Sequence, residues 1–142
     1  MRFRLMAMPA LAVAVIGAAP PGQIDLTVDG LRSGKGNVLV CVTEARQTFP
    51  KCERDPQARR FVVPSAQAKQ LRVNGLPTGQ YAVALIHDEN ANNRLDTALA
   101  MPREGFGFSR NPTVTFGPPP FAKAEFRVAG EVAQTIRVKY FL

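Results

Sequence analysis

The feature that most constrains this chain is a period-two alternation of apolar and polar residues, repeated in short runs between Gly, Pro and Asn. Successive side chains of a strand point to opposite faces, so such runs specify half-buried β-strands. Over 24–29, Ile24, Leu26 and Val28 share one face while Asp25, Thr27 and Asp29 share the other. The run 37–43 is almost wholly apolar and β-branched, which suits a central strand. Runs 61–64 and 69–74 are shorter, with Leu71 and Val73 pointing inward. The strongest central strand is 80–87, opened by the turn Leu76-Pro77-Thr78-Gly79. Two final runs are expected to form a hairpin about Ala129-Gly130. It sets Ala124, Phe126 and Val128 opposite Val132, Ile136, Val138 and Tyr140. With 11 Gly and 12 Pro to make turns, and no run of helical period, the expected fold is all-β. It is a single antiparallel β-sandwich of about seven strands, immunoglobulin- or transthyretin-like, with no helix longer than about two turns.

The N-terminus predicts the compartment. Arg2 and Arg4 precede an apolar run over 5–16 and the small residues Gly17, Ala18 and Ala19, the plan of a secretory signal peptide. About 15 apolar residues fall short of the roughly 20 needed to span a bilayer, so no transmembrane segment is expected in the mature chain. The expected organisation is a leader over 1–19 and one domain over 20–142, periplasmic or secreted. Without Arg2 and Arg4 the formal charge of +7 falls to about +5, and the basic residues are scattered. Cys41 and Cys52 are an even pair in an exported chain and read as a structural disulfide. Their spacing is too wide for a C-x-x-C redox pair.

The segment 88–121 breaks the strand rhythm, and a long loop of this kind is usually functional or internally tied. Asp88, Asn90, Asn92 and Asp96 place side-chain oxygens at positions 1, 3, 5 and 9 of a calcium loop. Arg94 would give its carbonyl at position 7, and apolar Leu95 follows at position 8. Asn93 stands where such loops carry Gly, and Leu99 occupies the place of the bidentate acid, leaving Glu104 or water to complete the shell. No cofactor is required, and calcium is the ion this loop suits; self-bonded Asx turns are the structural alternative.

Further on, Arg103-Glu104-Gly105-Phe106-Gly107-Phe108 resembles an RNA-binding strand only superficially, because Glu104 interrupts it and no second aromatic motif accompanies it. Nucleic acid is not an expected partner; an envelope ligand or protein is. Phe106 and Phe108 are expected to divide their work, one buried under the loop and one partly exposed as a stacking platform. His87 and Glu104 would join them at a ligand site. The rival reading is an envelope hydrolase using His87 with Asp88 or Glu104, although no nucleophile has a recognisable partner motif.

His87-Asp88-Glu89-Asn90, Leu95-Asp96-Thr97, the run from Pro102 to Ser109 and Phe116-Gly117-Pro118-Pro119 carry a family resemblance. They resemble a bacterial family of exported proteins known as a conserved domain of unknown function. Its pattern runs H-D-E-N-x-N-x-x-L-D-T, then P-x-E-G-x-G-F-S-x-N, then F-G-P-P. The resemblance covers essentially the whole mature chain and implies an exported β-sandwich, with no activity attached. A broader likeness to transthyretin-like and carboxypeptidase-regulatory modules rests on the corner Leu76–Tyr81. The transthyretin-like hydrolases need further histidines and a Tyr-Arg-Gly-Ser run, and this chain has one His and no such run.

Overall fold

The computed structural model describes residues 12–94, 97–98 and 101–142. Ten strands occur among them: β1 (Gly22–Asp29), β2 (Asn37–Thr43), β3 (Arg59–Pro64), β4 (Gln70–Leu76), β5 (Gly79–Asp88), β6 (Thr97–Ala98), β7 (Met101–Pro102), β8 (Gly105–Phe108), β9 (Phe126–Val128) and β10 (Glu131–Arg137). The longest helix, α1 (Phe121–Ala124), has four residues. One sheet has the order β10-β1-β4 and the other β3-β2-β5-β8, with β9 pairing β5 beyond that path. Two sheets packed over a shared core make the chain an all-β sandwich. Ile24, Leu26 and Val28 of β1, Val38, Val40 and Val42 of β2, and Val83 and Leu85 of β5 meet Val73, Leu76 and Ile136 in that core. At the corner before β5, the buried Tyr81 donates its hydroxyl to Pro77 O at 2.7 Å. This tie back to the upstream turn resembles the tyrosine corner of other sandwiches.

Two expectations about pairing are corrected. Strands β9 and β10 do not form a hairpin: β9 pairs with β5 and β10 with β1, so Ala129-Gly130 carries the chain from one sheet to the other. The β1–β10 pairing is also parallel, with Gln23 opposite Glu131 and Asp29 opposite Arg137. Parallel neighbours need a crossover connection, and here nearly the whole domain serves as one. Ala124, expected on a strand, lies in α1.

Strand β5 explains why its sequence lacks alternation: Tyr81 to Leu85 are all buried. Its inner face joins the main core. Its outer face, Ala82 and Ala84, is covered by a second core of Phe106, Phe108, Phe121 and Ala124, with Phe49 and Val114 packed against it. Phe49 meets Phe108 and Phe121 edge-on, at centroid separations of 5.9 and 5.8 Å. The Cys41–Cys52 disulfide is formed, with the Cα atoms 6.2 Å apart. Cys41 lies opposite Ala84 on this outer face, so the bridge fastens the 44–56 loop, and Phe49 with it, over the second core.

Candidate functional site

The segment after β5 is bound to both sheets. Strand β8 pairs along β5, setting Ala84 opposite Phe108 and Ile86 opposite Phe106. On its other edge Phe106 exchanges two backbone hydrogen bonds with Lys139, at 3.0 and 2.9 Å, just beyond β10. Phe106 and Phe108 are two residues apart on one strand, so both rings turn to the outer face and both are buried. The expectation that one would be exposed is not met. Gly105 and Gly107 turn the opposite way. A Cβ on Gly105 would sit 2.5 Å from Val138 Cγ1, and one on Gly107 2.5 Å from Ile136 Cγ2. Glycine is what lets β8 approach the C-terminal strand this closely.

Two polar side chains complete the stitching, and sequence reasoning, which met both only as letters of a family pattern, gave neither a role. The Ser109 hydroxyl, wholly buried, accepts from Val83 N–H at 2.9 Å and donates to Ala124 O at 2.6 Å. Asn111 acts as a substitute strand neighbour for β10. Its amide donates to Thr135 O and accepts from Arg137 N–H, each at 2.8 Å.

The 87–94 turn is held just as fully. His87 is wholly buried between Tyr140 Oη at 2.6 Å and Lys35 O at 2.9 Å. A carbonyl only accepts, so Nε2–H donates to Lys35 O and Nδ1 is left to accept from the Tyr140 hydroxyl. Burial pushes the Tyr140 phenol above its ordinary value, which keeps that proton in place. The same oxygen accepts from Arg32 N–H at 3.1 Å. Asp88, also wholly buried, accepts from Asn92 N–H at 3.1 Å and Asn93 N–H at 2.6 Å. Asn90 and Asn92 accept from the backbone two residues on, at 3.2 and 3.0 Å. These are Asx turns. Asn93 has φ 61°, the left-handed conformation that calcium loops usually give to Gly. Asp96 lies outside the described residues, as do Leu95 and Leu99. Among the described residues, no three His, Cys, Asp or Glu side chains converge to hold a metal.

Beside this turn Glu89 pairs with Arg32, whose Nε lies 2.8 Å from Oε1, and accepts from the Ser33 hydroxyl at 3.1 Å. The Arg32 guanidinium also donates to Leu142 O at 2.6 Å and lies 4.4 Å from the Tyr140 ring centroid. Buried Glu104 accepts from Glu89 N–H at 3.1 Å. Gly36 presses on the same place, with φ 63°. The Arg32 hydrogen bond holds the Glu89 carboxyl below its ordinary value near 4.5. A depressed folded value contributes stability above pH 4.5 that is lost as pH falls through the folded value. Glu89→Gln is therefore expected to flatten the acid limb of a stability–pH curve below about pH 4.5, leaving the neutral limb parallel to wild type. Denaturant midpoints from pH 7 to 3 check this, and identical acid limbs would contradict it.

Of the expected ligand contacts, His87 lies on the inner face of β5 and Phe106 and Phe108 on the outer face of β8, so the sheet separates them, and all four, Glu104 included, are buried. Fold and site define a two-sheet β-sandwich in which one long inserted segment clasps both sheets. The chain belongs to the family described as an uncharacterized protein conserved in bacteria (DUF2141), whose model matches residues 26–136. No curated protein and no solved structure matches it.

Proposed function

We propose that this chain is an exported β-sandwich that works as a binding or structural module of the bacterial envelope, periplasmic or secreted, with residues 1–19 as its leader. The carrying observation is that His87, Asp88, Glu104 and Ser109 are buried and hydrogen-bonded within the clasp. Groups in that position hold backbone in place. A hydrolase would need His87 to reach a nucleophile, and both its ring nitrogens are engaged. The Cys41–Cys52 bridge fits an oxidising compartment. Among the described residues, no helix is long and apolar enough to cross a membrane. Expressed with its own N-terminus in a Gram-negative host, the chain should be recovered from the periplasm or medium without its leader and without free thiols. Recovery from the cytoplasm, full length with both thiols reactive, would overturn the reading.

The same proposal gives the 88–96 turn a weak structural calcium site. Asp88, Asn90 and Asn92 would offer side-chain oxygens, Arg94 its carbonyl, and Asp96 a direct or water-mediated contact. The left-handed Asn93 supports this reading, since it supplies the bend such a loop needs. With no acid at position 12, affinity belongs in the extracellular class, about 10⁻⁴–10⁻³ M. At ten times the dissociation constant, calcium would stabilise the fold by about 1.4 kcal/mol. The melting temperature should therefore rise with calcium, and Asn92→Ala should remove most of the rise. No shift at about ten times that range leaves the Asx turns as the whole account.

A further inference from the structure

We infer that the loop over residues 112–118 is a docking element that seats Phe116 in the headgroup boundary of an anionic lipid surface. Phe116 is 98% exposed, whereas Phe49, Phe61, Phe106, Phe108, Phe121 and Phe126 are buried or half-buried. A ring left wholly in water costs solvation free energy that any apolar partner would recover.

The exposure does not come from a slack loop. At its start Asn111 is bonded twice to β10, and at its end Phe121 is locked into the second core. Between them Gly117 turns the chain at φ 70°, and Pro118, Pro119 and Pro120 follow, with Pro119 buried. A tip fixed in this way loses little conformational freedom when it docks.

Charge selects the partner. From Arg110 to Ala124 the chain carries two cations, Arg110 and Lys123, and no Asp or Glu. The open depression beside Phe116, about 550 Å³, is walled by this loop and Lys123, with no carboxylate in its lining. The formal charge is +7 for the whole chain and about +5 without Arg2 and Arg4. An aromatic tip with Lys123 beside it matches the boundary of an anionic bilayer, where rings sit at headgroup level and basic side chains meet lipid charge. A saccharide is the other surface an exposed ring could stack on. Such a site needs several convergent polar groups. Asn111, the amide nearest the depression, is already committed to β10. One ring and a few cations give weak, reversible and salt-sensitive attachment. The inference goes beyond the function proposed above and does not depend on calcium.

The chain contains no Trp, so Phe116→Trp installs a single fluorophore at the tip of the full-length protein. Its emission should shift to the blue with phosphatidylglycerol-containing vesicles, and not with pure phosphatidylcholine vesicles or in high salt. Because the apolar N-terminus would itself associate with either vesicle, this local signal is the readout on the full chain, and total binding is compared only in the processed form without residues 1–19. Phe116→Ser should weaken binding to the anionic vesicles by about tenfold, the scale of burying one ring. Lys123→Glu should weaken it several-fold, as expected for a cation at a charged surface. Both variants change exposed side chains, and unchanged melting curves would show that they fold. Emission unmoved by anionic vesicles would overturn the inference. So would vesicle binding indifferent to Phe116→Ser, or a blue shift produced by soluble oligosaccharide alone.

Discussion

Phe108→Ala should lower the unfolding free energy by about 3–5 kcal/mol, the range for removing a buried aromatic ring. Phe108 packs at the centre of the second core, edge-on to Phe49 and 6.0 Å from the Phe106 centroid. Phe106→Ala should cost a similar amount, because its ring is buried on the same face. Phe116→Ala, on the exposed tip, should stay within about 0.5 kcal/mol of wild type. Denaturant unfolding of the three variants separates the two environments. If Phe106→Ala and Phe108→Ala both unfold like Phe116→Ala, the second core contributes nothing and the clasp is not a structural element.

Gly36→Ala is the next largest expected loss. The added methyl would lie 2.0 Å from Asp88 O and 2.7 Å from Glu89 Cα, with the backbone at φ 63°. These neighbours are main-chain atoms of the 87–94 turn and cannot rotate away. The left-handed conformation alone costs a non-glycine residue about 1–2 kcal/mol, and overpacking adds about 1–3. Together they predict a loss of about 2–5 kcal/mol. Gly75→Ala is the control: φ is 70° there and nothing lies within 4 Å of the added carbon. It should show the conformational cost alone. Equal losses at the two positions would mean that Gly36 does not support the turn.

Period two made the inner face of β1 readable, and the unbroken apolar run of β5 marked a strand covered on both sides. The same pattern is silent about partners. Val132 and Ile136 alternate equally well beside β9 or beside β1, so the hairpin and the parallel pairing look alike in sequence. The aromatic pair was misjudged for a related reason. Taken as loop, Phe106 and Phe108 could point anywhere; as strand β8 they share a face, with two glycines marking the other. Ser109, Asn111 and Gly36 act through backbone atoms distant in sequence, and such bonds leave no periodic trace. The disulfide was legible because two cysteines admit one pairing. The burial of His87 was not, since its partners Lys35 and Tyr140 come from opposite ends of the domain.

The parallel seam between β1 and β10 also sets the order of assembly. β1 has two neighbours, β4 and β10, and the second follows every other strand in the chain. Until that segment emerges, the edge of β1 away from β4 has no partner. Asp29 O likewise waits for Val138 N–H, its acceptor bond at 2.8 Å. Joining segments this far apart is slow, because chain closure precedes the contacts that reward it. A chain made from its N-terminus therefore leaves this sheet open until β10 has followed. The architecture delays its own completion until the last of its strands is made.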